Sequence, residues 1–580
     1  MAPAPPGSQA APLPSNLPFR LVSKTIGQGA YASIRKACPI NASNPIIAIK
    51  FINKAHAFQQ GRLSPKQLMM EVTLHKYLGK HQNIIHCLGS GEDPIWTWIA
   101  MELADGGDLF DKIEADEGVG TDIAHFYFTQ LISAIGFMHS KGVAHRDIKP
   151  ENVLLSGEGD LKLADFGLAA LFKKDGKLRL CNTVCGSPPY IAPEIVAGRR
   201  SKRSDLLDQG YAANVCDIWS CGVVLFVLLV GNTPWDEPTM RSEEFKEYVD
   251  TDGRTTDELW QRLPPEITSL LRGMLKLDPN SRFTLDEIRT HPWFTRPNPY
   301  LGSNGKNANP IGLATQMLSQ LRIDFSQDPT ASQRGPNTQD ADMMDIDTSP
   351  RRSSAANGNA TADAIANITM LSSTQPETPV AETPFDWERP PRLGNYDGIS
   401  ASQPTSHHQR QAYSTQPIQA TPYLSQFPHS TQGLLSQDPS LTQFSQTPSV
   451  PLTLTQAARQ FNDVLPSYSL ARFLSPLSLT LLIPLITESL HRLGVPVPQN
   501  TTAEEQLQQW ECDGEASIRV KMADGRRQGL NGHVVVEKVV IGGERVSEVR
   551  FVKASGDPLE WRRFFKRVVV LLGDVVLRPG

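Results

Sequence analysis

The sequence is poor in cysteine and has no long apolar run. Its 7 cysteines are an odd number without paired spacing, which argues against a disulfide framework or a zinc site and suits a reducing compartment. The longest apolar stretches, 223–230 and 477–486, are short or interrupted by Pro484, so we expect no membrane span. Residues 1–18 lack the basic start and the apolar centre of a signal peptide.

The chain also lacks a strong excess of charge of either sign. The formal net charge is −5 over 580 residues, whereas nucleic-acid-binding domains are strongly basic. We therefore expect no direct contact with nucleic acid. One basic run, 199–203, precedes what reads as an exposed insert up to Gly210, either a solvated loop or a nuclear address.

Aliphatic residues are scarce in the middle of the chain. Residues 301–450 are rich in Ser, Thr, Gln, Asn and Pro, so they cannot bury enough apolar surface to offset the entropy of ordering. The sequence therefore predicts two folded ends joined by a disordered linker. The boundaries we expect are a disordered amino terminus over 1–18, a folded domain over 19–296, the linker over 297–456 and a terminal domain over 457–580.

Two motifs stand out in the first folded segment. Residues 145–152 read His-Arg-Asp-Ile-Lys-Pro-Glu-Asn, and residues 165–167 read Asp-Phe-Gly. Phosphoryl transfer needs a carboxylate to accept the proton of the attacking hydroxyl, a cation near the transferred phosphate, and oxygen ligands for Mg²⁺. Both motifs at this spacing are far more specific than either alone. They predict a protein kinase active site, with Asp147 as base, Lys149 as cation, and Asn152 and Asp165 as metal ligands.

A hairpin near the amino terminus is predicted to cover ATP. Residues 19–23 alternate like a strand and lead into a glycine-containing turn. Two glycines let the backbone approach the phosphates, while an alanine in the usual third place stiffens the loop. The residues that we assign to this hairpin are Ile26, Gly27, Gly29, Ala32 and Ile34, with the two isoleucines covering the adenine.

The next elements complete the predicted nucleotide site. Residues 47–50 alternate as a strand that carries Ala48 and Lys50, and Lys50 would hold the α- and β-phosphates. Apolar spacing over 68–78 predicts a helix on which Glu71 can pair with Lys50. A buried strand follows at the position of a kinase hinge. We assign to that hinge Met101, at the back of the pocket, and the backbones of Glu102 and Ala104, which would bond the adenine.

Other residues indicate the type of substrate. Lys149 and a Gly-Ser pair ending at Ser187 favour serine or threonine as the target, with Ser187 contacting Asp147 and Lys149. Asp108 and Glu151 stand where basophilic kinases place carboxylates for an arginine upstream of the target residue. The sequence therefore predicts basic-directed substrates.

Further acidic residues are predicted to have structural roles. Glu194 can pair with Arg282, and Asp217 can anchor the backbone of the catalytic loop. Both carboxylates belong to the architecture rather than to the chemistry.

The linker contains an unusual density of Ser-Gln and Thr-Gln pairs. Fourteen of the 17 glutamines between residues 315 and 456 follow serine or threonine, where composition alone would give about four. The pairs begin at Thr315, Ser319, Ser326, Ser332, Thr338, Thr374, Ser402, Thr415, Ser425, Thr431, Ser436, Thr442, Ser445 and Thr455. They suggest phosphorylation by DNA-damage kinases of the phosphatidylinositol-3-kinase-like family. Five further Ser-Pro or Thr-Pro pairs suggest proline-directed kinases.

The terminal domain is predicted to be a small α+β module. Residues 478–493 read as a helix that ends at Gly494, and 516–522, 532–541 and 546–554 alternate as strands. A capped amphipathic helix begins at Asp557. Two helices against one antiparallel sheet is the economical arrangement, and it carries no catalytic constellation.

The whole architecture resembles the checkpoint kinase one family in a fungal version. The kinase motifs match along 19–296, and the terminal domain is similar to the family's kinase-associated domain through residues 472–474 and 555–560. The resemblance implies an α+β, bilobal eukaryotic protein kinase fold, a disordered linker and a small α+β kinase-associated domain. It also implies ATP and Mg²⁺ as cofactors, a role in the DNA-damage and replication checkpoint and in DNA repair, and autoinhibition that linker phosphorylation relieves.

The resemblance further implies partners and a location. The expected partners are cell-cycle regulators such as the mitosis-promoting phosphatase family, upstream damage kinases and adaptor proteins. We expect a monomer that resides in the nucleus, with the cytoplasm left open as a second location.

Two alternatives remain open at this point. Thr183 stands where related metabolic kinases carry an activating phosphothreonine that Arg146 could bind, which favours a nutrient- or polarity-sensing kinase. In that case the terminal domain could bind anionic lipid through a basic and aromatic helix face, 561–567, although docking of this face onto the kinase domain is the simpler interpretation. A pseudokinase scaffold would require a missing catalytic element, and the sequence lacks none.

Overall fold

The computed structural model describes most of both ends of the chain. The described residues are 12–14, 16–28, 32–59, 63–200, 210–321, 323, 461–465, 471–524, 528–541 and 544–577. Gly29, the insert over 201–209 and the linker from 324 to 456 lie outside the described residues. The disorder expected for the linker therefore stays a prediction over that range.

The amino-terminal lobe is a five-stranded antiparallel sheet with one long helix beside it. The sheet order is β1-β2-β3-β5-β4. The elements are β1 (Phe19–Gln28), β2 (Ala32–Pro39), β3 (Ile47–Asn53), α1 (Lys54–Gln59), α2 (Pro65–Leu78), β4 (Cys87–Glu92) and β5 (Trp96–Glu102). Helix α2 begins where Ser64 and Gln67 form a reciprocal capping box around Pro65. The predicted strands and the predicted helix of this lobe are confirmed within these longer elements.

Part of the segment before β1 packs on this lobe, which corrects the prediction of disorder over 1–18. Leu13 and Leu17 contact an apolar cluster that contains Phe19 and Trp96. The Ala- and Pro-rich composition hid two leucines that cover an aromatic surface, and this burial offsets the entropy cost of ordering.

The carboxyl-terminal lobe is mainly helical, and α3 and α5 pack at its centre. Its helices are α3 (Thr121–Ser140), α4 (Pro193–Arg200), α5 (Ala213–Val230), α6 (Glu243–Asp250), α7 (Glu258–Gln261), α8 (Pro265–Met274), α9 (Leu285–Thr290) and α10 (Pro292–Thr295). Six short strands form three antiparallel pairs, β6-β9, β7-β8 and β10-β11: β6 (Val143–Ala144), β7 (Val153–Leu155), β8 (Leu161–Leu163), β9 (Ala170–Leu171), β10 (Lys173–Lys174) and β11 (Lys177–Leu178). The bilobal kinase fold predicted from the motifs is confirmed.

The ordered kinase unit extends beyond residue 296, which corrects the predicted start of the linker. Residues 297–321 continue along the carboxyl-terminal lobe and form α11 (Pro310–Gln320). Leu313 and Met317 on this helix are buried. A second short helix, α12 (Phe461–Val464), packs against α11 rather than within the terminal domain. Both helices were missed because each is short and adjoins a polar, low-complexity sequence.

Phe461 fixes α12 to the kinase lobe. Its ring is fully buried and lies against Gly159, whose φ is +82°. A β-carbon at Gly159 would stand 2.6 Å from the ring, so only glycine permits this contact. The two described ends of the chain on either side of the linker, 310–321 and 461–465, are therefore held on the same lobe.

The terminal domain is a four-stranded antiparallel sheet covered by helices. Its elements are β12 (Arg472–Ser475), α13 (Leu479–Arg492), α14 (Glu504–Asp513), β13 (Glu515–Ala523), β14 (Gly529–Ile541), β15 (Glu544–Ser555) and α15 (Pro558–Leu572), in the sheet order β12-β15-β14-β13. The predicted strands, both predicted helices and the helix end at Gly494, with φ +73°, are confirmed. The prediction missed β12, a four-residue edge strand, and α14, which has no buried residue.

One described helix is long and apolar enough to cross a membrane. Helix α5 has a mean hydropathy of 2.1, and 83% of it is buried inside the carboxyl-terminal lobe. Helices that are apolar all round and buried in this way form the cores of large folded domains. The interior position of α5 accounts for its composition.

Candidate active site

The cleft between the lobes brings Lys50, Glu71 and Asp165 into one ion network. Lys50 Nζ lies 2.7 Å from Glu71 Oε1 and 3.2 Å from Asp165 Oδ1, and all three side chains are nearly inaccessible to water. Burial acts to lower the pKa of Lys50, but the two carboxylates outweigh it and raise that pKa, so the lysine stays charged. The sequence-predicted lysine and glutamate are therefore in direct contact.

The ring of Phe166 joins this network to the catalytic loop. Its centre lies 4.6 Å from the His75 ring on α2 and 5.5 Å from the His145 ring. Burial lowers the pKa of His75 to about 4, so His75 packs as a neutral ring. The helix that carries Glu71 and the loop that carries the catalytic residues are thus linked through contacts with the Phe166 ring.

Asp217 and Glu194 have the structural roles that the sequence predicted: one anchors the catalytic loop and the other pairs with Arg282. Asp217 accepts the backbone N–H groups of His145 at 2.9 Å and Arg146 at 2.8 Å. These bonds maintain Arg146 at φ +66°, which non-glycine residues rarely adopt. Glu194 accepts two hydrogen bonds from the Arg282 guanidinium, at 2.8 and 3.1 Å.

Asp147 lies at the centre of a hydrogen-bond cluster. Ser187 Oγ donates to Asp147 Oδ1 at 3.0 Å, and Asn152 Nδ2 donates to Asp147 Oδ2 at 3.0 Å. Lys149 Nζ donates to Ser187 Oγ at 2.9 Å and lies 3.4 Å from Asp147 Oδ2. The carboxylate is therefore fixed in orientation beside a positive charge. A substrate hydroxyl brought to it would meet an oriented proton acceptor.

Asn152 and Asp165 can supply oxygen ligands to a divalent cation. Asn152 Oδ1 is buried and has no hydrogen-bond partner within the described parts of the chain, which is unusual for a buried amide. Burial acts to raise the pKa of Asp165, but Lys50 and the Gly167 N–H outweigh it, so the pKa is lowered and the group is ionised. Mg²⁺ commonly takes one or two protein oxygens and the rest from phosphates and water, so these two residues fit it.

Strand register places the predicted nucleotide residues side by side. Gly27 on β1 is paired with Ile34 on β2, and Ile34 is paired with Lys50 on β3. Ala48 on β3 is paired with Met101 on β5. The side chains assigned to adenine and to phosphate therefore occupy adjacent strands of one sheet.

The remaining hairpin residues lie in the same sheet. Ile26 is in β1, and Ala32 opens β2, where it is buried in an apolar cluster with Ile52. The side chain of Ala32 thus contributes to the core of the lobe. Gly29 lies among the residues for which no position is described.

The hinge offers free peptide groups at Ala104. Glu102 is tied into the lobe, since its N–H donates to His86 O at 2.9 Å and its carboxylate lies 2.5 Å from Lys162 Nζ. No hydrogen bond joins the Ala104 backbone to another described residue. This is the arrangement that an adenine ring could use for backbone recognition.

Asp108 and Glu151, the two carboxylates predicted to bind a substrate arginine, both have raised pKa values. Burial and the neighbouring Asp111 raise the pKa of Asp108 to about 7. Burial also raises the pKa of Glu151, although the positive charges of Lys149 and Lys553 oppose it. Glu151 Oε2 is buried without a hydrogen-bond partner in the described regions, so it can still accept one from a bound cation.

The terminal domain docks on the kinase lobe next to these two carboxylates. Helix α15 meets an acidic loop over residues 111–116, between the hinge and α3. The contacts are Arg562 to Asp111 at 3.4 Å and to the backbone oxygen of Ile113, Arg563 to Asp116 at 2.5 Å, and Lys566 to Glu114. The Arg562 guanidinium is also 5.3 Å from the centre of the Phe110 ring.

These contacts bear on the lipid-binding alternative. Of the four basic residues that it required, three are engaged by the acidic loop, as the docking interpretation predicted: Arg562, Arg563 and Lys566. Its aromatic residues, Trp561, Phe564 and Phe565, are buried in the core of the terminal domain. The aromatic side chains therefore cannot insert into a bilayer in this arrangement.

Sequence reasoning missed His75 and the acidic loop as parts of the site. A single histidine in a helix carries no motif, and its packing role appears only from the contact of its ring with Phe166. The acidic loop, 111–116, has three carboxylates but no spacing that predicts a docking surface. Only the position of α15 gives the loop its role.

Comparison with known proteins agrees with this geometry. The protein kinase domain family matches residues 21–294. Serine/threonine-protein kinase chk1 of Schizosaccharomyces pombe is 35% identical over 564 residues, covering 97% of each chain. Serine/threonine-protein kinase CHK1 of Saccharomyces cerevisiae is 33% identical over 581 residues, covering 99% of each chain. Serine/threonine-protein kinase CHK1 of Mycosarcoma maydis is 31% identical over 669 residues, covering 96% of each.

Asp108 should make the binding of basic peptides depend on pH. With a pKa of about 7, its carboxyl loses most of its charge as the pH falls from about 8 to about 6. We expect the KM for a peptide with an upstream arginine to rise about tenfold over this range, because the ion pair is lost. A peptide with leucine at that position should change much less, and steady-state kinetics with both peptides measures the difference.

The matched control is Asp108→Asn, which can still accept the Asp111 N–H that Asp108 now accepts at 2.7 Å. Lys112 and Arg562 also face this group. Burial lowers the pKa of Lys112 to about 8, so Lys112 gains positive charge as the pH falls, and the repulsion that it adds is present in both the unmodified chain and the variant. The variant should show a high KM for the arginine peptide that depends only weakly on pH. An equally steep pH dependence in the variant would mean that another group titrates.

Proposed function

The chain belongs to the Chk1 family of serine/threonine protein kinases, and on that basis we propose that it delays the onset of mitosis when DNA is damaged or replication stalls. Family membership establishes protein phosphorylation at serine or threonine with ATP and a divalent cation. The observation that carries the proposal is the match to checkpoint kinases over almost the whole chain, including the terminal domain and not the kinase domain alone.

We infer that phosphoryl transfer relies on positioning and electrostatics. Asp147 would accept the proton of the target hydroxyl, and Lys149 would offset negative charge that develops on the transferred phosphoryl group. Lys50 would hold the inner phosphates while Glu71 keeps the lysine in place. Mg²⁺, held by Asn152 and Asp165, would supply charge neutralisation at the phosphates. The Lys50–Glu71 contact is already formed, which supports an active geometry.

The proposed substrates are proteins with basic residues upstream of the target. Asp108 and Glu151 belong to neighbouring segments of the chain. Asp108 forms an isolated antiparallel β-bridge with Leu154, three residues after Glu151. An arginine would gain charge-assisted hydrogen bonds from carboxylates that are otherwise partly buried. The cell-cycle regulators proposed as targets, including the mitosis-promoting phosphatase family, follow from the checkpoint role.

We propose that damage kinases of the phosphatidylinositol-3-kinase-like family regulate the chain through its linker, with adaptor proteins bringing them together. The support is the cluster of 14 Ser-Gln and Thr-Gln pairs between residues 315 and 456. Residence in the nucleus is part of the same proposal. A nutrient-sensing kinase activated at Thr183 is the alternative, and the full-length similarity to checkpoint kinases favours the damage role.

The terminal domain is proposed to inhibit the kinase by competing with substrate. Arg562 and Arg563 present guanidinium groups to the acidic loop at the end of the cleft where a substrate arginine would enter. The positive charge of Lys553 reaches Glu151, and the negative charge of Asp557 reaches Tyr190 near the target site. The docked domain therefore satisfies, with its own cations, carboxylates that would otherwise attract a basic substrate.

The strength of this docking depends on buried charge. Arg562 is 4% exposed, and its burial lowers its own pKa despite Asp111. Removing one partner of such a pair leaves an unpaired buried charge, which costs several kcal/mol, whereas the pair itself contributes little net stability. The docked state is therefore sensitive to small perturbations. That property suits a contact that must be released.

Arg563→Glu should release the terminal domain. The substitution places a carboxylate beside Asp116, which Arg563 now contacts at 2.5 Å in a half-exposed position. In the full chain we expect the KM for a basic peptide to fall about tenfold and the KM for ATP to stay unchanged. The reason is that a loss of about 1.4 kcal/mol of docking free energy shifts the equilibrium tenfold toward the undocked state.

The matched control is Lys521→Glu, the same charge change on an exposed part of β13 in the same domain. It should leave both KM values as in the unmodified chain. If Arg563→Glu changed neither KM, or changed the KM for ATP instead, the proposed competition with substrate would be wrong.

Two of the fourteen proposed phosphorylation sites should respond least to a damage kinase. Thr315 and Ser319 lie on α11, where the glutamines that follow them are held: Gln316 accepts the Tyr300 hydroxyl, and Gln320 packs so close to Gly120 that an added β-carbon there would lie 2.9 Å from Gln320 Nε2. A kinase that reads the glutamine after its target must first extract it from these contacts. Quantitative phosphosite mapping with and without DNA damage, alongside kinase activity, should find higher occupancy at linker sites beyond residue 323.

This mapping also tests the checkpoint role. Damage-induced phosphate at several linker sites, with activity changing in parallel, is the expected result. Silent linker sites together with phosphate at Thr183 that follows nutrient supply would replace the proposal with the alternative. Disrupting α11 by Leu313→Ala, at a fully buried position, should raise the occupancy of Thr315 and Ser319 selectively.

A further inference from the structure

The side chain of Tyr211 occupies an unexpected place beside the catalytic loop. Its hydroxyl receives a hydrogen bond from Arg146 Nη1 at 3.1 Å and donates one to the backbone oxygen of Thr183 at 2.7 Å. Tyr211 is buried, at 8% exposure, just before α5. One phenol group thus joins Arg146 of the catalytic loop to the segment that carries Thr183 and Ser187.

The backbone of Tyr211 reinforces this connection. Its N–H donates to Cys181 O at 2.8 Å, and its own carbonyl oxygen accepts the Cys181 N–H at 2.9 Å. Together these bonds form an isolated antiparallel bridge between residues 181 and 211. The segment over 181–183 is therefore fixed at three points, two through the backbone and one through the phenol.

Arg146 needs such partners because it carries a charge in a mostly buried position. Its Nε donates to Leu168 O at 2.7 Å and its Nη1 donates to the Tyr211 hydroxyl. Burial acts to lower the pKa of Arg146, but electrostatic attraction to Cys185 and Tyr211 in their ionised forms and the hydrogen bond to the Tyr211 hydroxyl outweigh it and raise that pKa. A buried guanidinium without acceptors would be costly, and here neutral groups supply them.

These bonds lead directly to the catalytic residues. Leu168 follows the Asp-Phe-Gly motif, so its contact with Arg146 helps to fix Asp165. In the other direction, Gly186 packs so closely on the catalytic loop that an added β-carbon would lie 3.1 Å from Arg146 O. The next residue, Ser187, bonds Asp147 at 3.0 Å. The position of the 181–187 segment thus determines the position of a contact to the catalytic carboxylate.

We propose that Tyr211 is a positioning residue that performs, with a neutral hydroxyl, the task that an activation-segment phosphate performs by binding Arg146. Thr183 presents only its backbone oxygen to this contact, and its side chain is exposed to solvent. The Tyr211 hydroxyl therefore links Arg146 to the 181–183 segment with no phosphate on Thr183. The inference rests on the kinase activity and not on the checkpoint role or on inhibition by the terminal domain.

The test compares purified, phosphatase-treated full-length variants with a basic peptide. Tyr211→Phe removes the hydroxyl alone, and we expect kcat to fall about tenfold because a hydrogen bond to a charged group is lost. The KM for ATP should not change, since no nucleotide residue is altered. Thr183→Ala should retain the kcat of the unmodified chain, because the Tyr211 hydroxyl binds the backbone of Thr183.

The matched control is Tyr248→Phe. Tyr248 is also buried in the carboxyl-terminal lobe, and its hydroxyl donates to Leu275 O at 3.1 Å, far from Arg146 in the chain. It should lose comparable thermal stability with no loss of kcat. Equal losses of kcat in both variants would show a general structural effect and overturn the proposal, as would an unchanged kcat in Tyr211→Phe.

A double-mutant cycle separates action through Arg146 from other effects. If Tyr211 works through Arg146, Tyr211→Phe should cause no further loss of kcat in an Arg146→Ala background. Losses that multiply would show independent roles and contradict the proposal. A Thr183→Ala variant as slow as Tyr211→Phe would also contradict it, because phosphate or the threonine side chain would then do the work.

Discussion

The structure depends above all on the contact between Lys50 and its two carboxylates. A lysine with almost no solvent access is stable only because Glu71 and Asp165 lie within 3.2 Å of its ammonium. These residues come from a strand, a helix and a loop in different lobes, so their meeting fixes the angle between the lobes. The contact between the Phe166 and His75 rings shields the same junction from water. Catalytic geometry and lobe closure are consequences of one desolvated ion network.

A second set of buried charges connects the kinase lobe to the terminal domain. Arg562, Arg563 and Lys566 meet carboxylates of the acidic loop beside the substrate end of the cleft. Such contacts confer specificity more than stability, because desolvation cancels most of the Coulomb attraction. The ends of the linker are also anchored on one lobe, through α11 and Phe461. The terminal domain is therefore placed where a modest change of charge can separate it from the cleft.

Much of this could be predicted from sequence, because kinase motifs encode chemistry at fixed spacing. The contacts of Asp147 with Ser187 and of Lys50 with Glu71 follow from residue type and order, and strand alternation indicated most of the terminal sheet. The acidic loop, α11 and Tyr211 could not be predicted, because each acquires its role from a partner far away in the chain. Leu13 and Leu17 were hidden by a composition that usually signals disorder. Long-range packing, rather than local propensity, decided these positions.

The central claim is that the docked terminal domain restrains a kinase whose active site is already assembled, and that linker phosphorylation releases it. The most direct measurement is hydrogen exchange over residues 110–116 and 558–566 in the full chain, before and after phosphorylation by a Ser/Thr-Gln-directed kinase, together with the rate of peptide phosphorylation. The account predicts faster exchange in both segments and a faster rate, with exchange around Lys50 and Glu71 unchanged. A rate that increases while both segments stay protected would contradict it.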